Sequence, residues 1–180
     1  MDYITQYNSP LGGITLASDG EALTGVWFDE NNPSTSSGRV NENDNENDNE
    51  NGNTLGCEPI FEETKRWLDE YFAGRENDFT PPLSLRGTAF QLRVWKELLS
   101  IPYGKTVSYG DIAKRLGVHS AQAIGGAVGR NPISIIVPCH RVIGADGSLT
   151  GYAGGIGRKK KLLELESQKR QANCFIHNRL

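Results

Sequence analysis

Cys139 and His140 stand side by side in the segment Asn131-Pro132-Ile133-Ser134-Ile135-Ile136-Val137-Pro138-Cys139-His140-Arg141-Val142. A thiol next to an imidazole is a pairing suited to nucleophilic chemistry. The thiolate is the reactive form, and a nearby base or cation raises its share at neutral pH. The run Ile133 to Val137, apolar but for Ser134 and bounded by Pro132 and Pro138, reads as a buried strand that delivers Cys139 at its end. Taken alone, the stretch fits a core cysteine packing as a small hydrophobe equally well. Neighbouring residues on a strand point to opposite faces, so a direct Cys139–His140 contact requires a turn at that point or a bridging water. The other cysteines are Cys57 and Cys174; an odd number without CxxC spacing fits a reducing cytoplasm. With His119, His140 and His177 also away from ligand spacing, no metal site is expected.

The elements that must position this pair are legible on both sides. Tyr3–Tyr7, Gly13–Ala17 and Ala22–Phe28 are short β-prone runs, punctuated at Asn8–Gly12 and Ser18–Glu21, and read as a β-meander whose role is support. Residues 31–55 hold the Asn/Glu/Asp tract Asn41 to Asn53, too polar to repay the entropy of ordering, and read as a disordered acidic insert tolerated at the surface. Glu58 to Gly74 carries Ile60, Phe61, Thr64, Trp67, Leu68, Tyr71 and Phe72 at helical spacing. A linker containing Pro81-Pro82 follows. Thr88 then caps a helix over 89–100, Ser108 a helix over 109–116, and a further helix runs from Ala121 to about Arg130. The last two, joined through Gly117, form a helix-turn-helix. Three glycines at 125, 126 and 129 cost roughly 1 kcal/mol each in a helix interior. Either tight helix packing or close approach to a nucleic-acid backbone would compensate. The final helix spans Ile156 to about Gln168, with Leu162, Leu163 and Leu165 inward and Arg158–Lys161 exposed, before a frayed tail.

Charge divides the chain. Residues 1–90 hold 5 Lys and Arg against 17 Asp and Glu; residues 91–180 hold 14 against 5, so net −12 meets net +9 within a total of −3. A basic half suits a polyanion, although a basic excess is also the mark of a solvated surface. No signal peptide or membrane span is expected from the sequence.

Pro138-Cys139-His140-Arg141-Val142, preceded by Asn131-Pro132 and followed by Gly151-Tyr152-Ala153-Gly154-Gly155, resembles the active-site signature of the O6-alkylguanine-DNA alkyltransferases; Ser9-Pro10-Leu11-Gly12 adds a weaker match. The resemblance implies an α+β protein. An N-terminal β-meander, ribonuclease-H-like α/β domain (1–80) would precede a mostly helical, winged helix-turn-helix-like domain (86–168) and a tail (169–180). It implies a cytoplasmic monomer acting on double-stranded DNA with an alkylated guanine, flipped out through the minor groove, without cofactor. Cys139 is then the nucleophile and alkyl acceptor, used once. His140 acts through a water and is oriented by Glu166, and Asn131 is the hinge between recognition helix and active-site segment. The implied substrate contacts are Tyr109, Val142, Tyr152, Ala153 and Gly154, with a small-residue loop tolerating varied alkyl groups. Ser108, Ala121, Gln122, Gly125 and Arg130 are the implied DNA contacts.

Two features depart from the family pattern. The acidic insert replaces a short connection. Gln122 stands where the family carries an arginine that fills the base stack, and Gln brings no charge and less stacking area. Weaker DNA affinity or slower base extrusion is expected, with the same reaction. Three other readings stay open: a lesion-binding relative without transfer, a helix-turn-helix regulator, and a Cys-His-Glu hydrolase. Stoichiometry separates them.

Overall fold

The computed structural model describes residues 2–31 and 58–176. The acidic insert, apart from Asn31, and the last four residues lie outside the described residues. Three antiparallel strands, β1 (Tyr3–Ser9), β2 (Gly12–Ser18) and β3 (Leu23–Phe28), form a meander in the order β1-β2-β3. The strands match the expected runs to within two residues. β1 alternates half-buried and exposed positions, whereas β2 and β3 are almost wholly buried. Helix α1 (Glu58–Phe72) brings Ile60, Phe61, Leu68 and Tyr71 into the core.

The free edge of β3 is covered by two passing segments. Leu23 exchanges backbone hydrogen bonds with Pro82 and Ser84, and Val26 with Pro132 and Ser134. This satisfies an edge that would otherwise expose unpaired N–H and C=O groups. It also fastens the Cys139 segment to the N-terminal sheet.

The C-terminal half is helical. Thr88 caps α2 (Ala89–Leu99) in a reciprocal box with Gln91, and Ser108 caps α3 (Tyr109–Arg115) likewise with Asp111. Ser120 caps α4 (Ala121–Val128). Gly117, at φ +66, makes the left-handed turn between α3 and α4. Trp95 on α2 donates its indole N–H to the Ala127 carbonyl and locks α2 against α4. Two short strands, β4 (Val107–Ser108) and β5 (Val142–Ile143), pair in parallel, so the cap of α3 is joined directly to the exit of the Cys139 segment. Helix α5 (Ile156–Ile176) closes the chain and runs past the predicted end at Gln168 into the expected tail.

One expected element is absent. Ile133 to Val137 is not a strand: only Ile133 bridges to Val26, and the next residues coil back through turns. Val137 N–H reaches the Ile133 carbonyl at 3.1 Å, Ile136 N–H reaches Ser134, and Ile135 sits at φ +71. A branched side chain there costs about 1–2 kcal/mol. Burial of four of the five side chains as apolar groups offsets it. An apolar run reports burial, and a buried turn has the same composition as a buried strand.

Candidate active site

The segment ends in a single 3-10 turn over Cys139–Arg141. At about 120° per residue, such a turn sends three consecutive side chains in three directions. The opposite-face arrangement that a strand would impose on Cys139 and His140 is therefore absent.

Cys139 is buried, with 3 % of its surface exposed. The Asn131 amide organises its surroundings. Nδ2 donates to the carbonyls of Val137 (2.8 Å) and Ile133 (3.2 Å) and lies 3.1 Å from Cys139 Sγ, while Oδ1 accepts the Ile133 N–H at 3.0 Å. One side chain thus ties the end of α4, the turn and the thiol together. Burial pushes the thiol above its ordinary pKa; the Asn131 contact and the charge of Lys159 pull the other way.

His140 points away from solvent into a polar cluster, fully buried. Its Nε2 is 2.7 Å from Glu166 Oε1. Glu166 receives Arg141 through Nε (2.9 Å to Oε2) and Nη2 (3.0 Å to Oε1), the Tyr71 hydroxyl at 2.8 Å and the Gly104 N–H at 2.9 Å. Burial alone would raise the Glu166 pKa, but the His140 hydrogen bond and the Arg141 guanidinium outweigh it and hold the carboxyl down to about 2. Since every neighbour of the carboxylate donates, the His140 proton belongs on Nε2. Nδ1 then carries the lone pair, and it has no hydrogen-bond partner among the described residues. Burial also lowers the His140 pKa, against the pull of Glu166, so the imidazole is neutral and able to accept a proton.

Acid sensitivity follows. Glu166 is depressed from 4.5 to about 2, so its contribution is complete above pH 4.5 and is lost as pH falls toward 2. The linkage is worth about 3 kcal/mol. Urea midpoints measured from pH 7 to pH 3 should fall steeply below 4.5, and a flat curve there contradicts the buried ion pair.

Tyr109, Lys159 and Tyr152 of the loop 150–155 also lie near the thiol. Tyr109 donates its hydroxyl to the Thr150 carbonyl at 2.9 Å. Lys159 Nζ donates to the same carbonyl at 2.8 Å and lies 5.8 Å from the centre of the Tyr109 ring. A Cβ on Gly154 would stand 2.6 Å from the Tyr152 ring and 2.9 Å from that of Phe28, so only glycine fits between them. Arg158 clamps this loop to the N-terminal sheet through Leu11, Glu30 and the Gly154 carbonyl.

The chain is matched over residues 3–85 by the ribonuclease-like domain, and over 89–168 by the DNA binding domain, of 6-O-methylguanine DNA methyltransferase. The chain belongs to the 6-O-methylguanine DNA methyltransferase family. A methylated-DNA–protein-cysteine methyltransferase of Mycobacterium bovis is 46 % identical over 94 % of both chains, and one of Methanosarcina acetivorans is 45 % identical over 91 % of this chain and 97 % of its own. A crystal structure of the Mycobacterium tuberculosis O6-methylguanine methyltransferase superposes with a TM-score of 0.74 at 44 % identity, over 93 % of this chain and 94 % of its own.

Within this family frame, the structure pairs Asn131 with Cys139 and Glu166 with His140 on adjacent residues of one turn, with Tyr109, Val142, Tyr152 and Gly154 nearby. Ala153 is exposed on the same loop. Ala121 and Gln122 lie exposed on the first turn of α4. Arg130 bends back onto the Gly126 carbonyl, and Ser108 is engaged in capping. A Cβ on Gly126 would meet only the Arg130 side chain at 3.6 Å, and one on Gly125 only the Tyr109 ring at 3.8 Å. Packing within the protein therefore does not demand either glycine. Among the described residues no group of three His, Cys, Asp or Glu could hold a metal, and no helix is long and apolar enough to cross a membrane.

Three residues escaped the sequence reading. Tyr71 was assigned to a supporting half, yet its hydroxyl enters the Glu166 cluster. Arg141 was given no role. Lys159 was expected to be exposed with its basic neighbours, yet it is fully buried. Its signal was present: positions 159, 162 and 166 lie at i, i+3 and i+7, the buried face of α5.

Proposed function

We propose that this protein repairs DNA by direct reversal, transferring a methyl or other alkyl group from O6 of guanine irreversibly to Cys139. The observation that carries the reading is a buried thiol held by Asn131 beside a neutral imidazole whose Nδ1 is open, in a chain whose relatives are named for transfer to a protein cysteine. A related Mycobacterium tuberculosis protein, TM-score 0.73 and 46 % identical over 91 % of both chains, has been crystallised in complex with DNA. We take DNA as the partner here too.

A buried thiol reaches a base only if the base leaves the duplex, at a cost of a few kcal/mol that is least for a damaged pair. Gly126, exposed on α4, and Gly125, which packing does not require to be glycine, support close approach to the minor groove, with Gln122 filling the vacated place. Tyr109, the Val142 carbonyl and the loop Tyr152–Gly154 would then hold the base. The thiol proton passes through a water to His140 Nδ1. The sulfur attacks the alkyl carbon, and the carbon–O6 bond breaks as the carbon–sulfur bond forms. The electron pair stays on guanine, which takes up one proton in place of the one the thiol gave. The thioether is permanent, so each chain acts once and needs no cofactor. The reading includes a cytoplasmic monomer.

Intact-protein mass after incubation with a duplex carrying O6-methylguanine tests this. One added methyl per chain, saturating, and absent from Cys139→Ser, is the expected result. Binding without a mass change makes the protein a lesion sensor; repeated turnover on esters makes it a hydrolase.

A further inference from the structure

We propose that Tyr71, supplied by the N-terminal domain, is a positioning residue for alkyl transfer: its hydroxyl holds Glu166 so that His140 keeps its proton on Nε2 and leaves Nδ1 as the proton acceptor. The inference rests on the transfer reading above and adds a residue from outside the DNA-binding domain to its machinery.

The geometry is specific. Tyr71 lies at the end of α1, is 1 % exposed, and donates to Glu166 Oε1 at 2.8 Å, the same oxygen that faces His140 Nε2 at 2.7 Å. Its oxygen is 3.3 Å from that Nε2 as well. The three atoms form a closed triangle in which the Tyr71 hydroxyl and the His140 Nε2–H both donate to one carboxylate oxygen. The Tyr71 ring is fixed by stacking on Trp67 at 5.5 Å and by edge contacts with Tyr103 and His140. A hydroxyl so placed cannot swing away, and the carboxylate it holds cannot rotate out of line with the imidazole. Burial and the neighbouring carboxylate raise the Tyr71 pKa well above the ordinary value, so it stays a donor throughout the working range.

The hydroxyl also affects the charge balance at His140. The groups facing that ring are Glu166 and Lys159 from α5, Arg141 from the same turn, Tyr71 from α1 and Tyr152 from the loop after β5. Only Glu166 favours the imidazolium. Each donor that Glu166 accepts makes it a weaker partner for a second proton on His140. Without the Tyr71 hydroxyl, His140 protonates more readily and loses its base at a higher pH.

The test is single-turnover methyl transfer, read by intact mass, across the pH range for wild type, Tyr71→Phe and Trp67→Phe. Tyr71→Phe keeps the ring and its stack. Its neutral-pH rate should fall at least roughly tenfold, with the acid limb displaced to higher pH and affinity for unmodified duplex unchanged. Trp67→Phe disturbs the stack without touching Glu166; it should lose stability and keep the wild-type limb. If wild type accepts methyl and the Tyr71→Phe limb superimposes on it, or Trp67→Phe moves the limb as far, the proposal is overturned alone. If wild type accepts no methyl, the transfer reading falls and this inference with it.

Discussion

Glu166→Gln is expected to destabilise the protein by about 3–5 kcal/mol and to slow methyl transfer by roughly a hundredfold or more. Both effects have one origin. All four groups around the carboxylate, from Tyr71, Gly104, His140 and Arg141, are donors. A glutamine of the same shape keeps one acceptor oxygen but turns an NH2 group toward donors on the other side. It also leaves the Arg141 guanidinium, 10 % exposed, without its counter-charge. Apart from the glutamine oxygen, Arg141 keeps the Ile101 carbonyl at 2.7 Å as its hydrogen-bond acceptor among the described residues. Denaturant unfolding at pH 7 gives the first number, and single-turnover mass kinetics on folded protein the second. A stable variant that transfers at the wild-type rate would remove the ion pair from both stability and chemistry.

Asn131→Asp should be nearly as damaging for a different reason. The substitution preserves size and the acceptor for Ile133 N–H. It replaces a donor shared by two carbonyls and the sulfur with an acceptor, and it introduces a charge into a site 5 % exposed. The loss of stability should be about 2–4 kcal/mol. An anion next to Sγ disfavours the thiolate, whose formation burial already opposes. Transfer should slow by roughly 10²–10³-fold, with its pH dependence displaced upward. Asn131→Ala provides the contrast. It loses the same donor hydrogen bonds, and the acceptor for Ile133 N–H besides, without adding charge, so it should lose comparable stability and show the smaller displacement. Equal pH profiles for the two variants would deny an electrostatic role to this position.

Much of the frame was legible because it is local. Thr88 and Ser108 announced their helices through caps that depend on residues three positions on, and the meander through alternating runs and turn residues. Cys139, His140, Glu166 and Asn131 were legible through the resemblance; composition alone left Cys139 ambiguous. The strand expected at Ile133–Val137 failed because apolar content does not distinguish a buried turn from a buried strand, and the side chain that coils it, Asn131, acts across eight residues. Tyr71 was visible as a helix-face aromatic, but nothing near it in sequence marks a partner 95 residues away. Lys159 was hidden by the basic run around it, since a run of like charges reads as solvated whatever the helix phase.

The same long separations set an order of events for a refolding chain. The site closes through pairs 62, 69 and 95 residues apart, and Arg158 reaches Leu11 across 147. Contacts this non-local are entropically late, whereas the capped helices α2 and α3 form from neighbours. Helical signal should therefore return first, and the capacity to accept an alkyl group only when both ends of the chain have met. For a protein that spends itself in a single reaction, that capacity is also a record of how many chains finished folding.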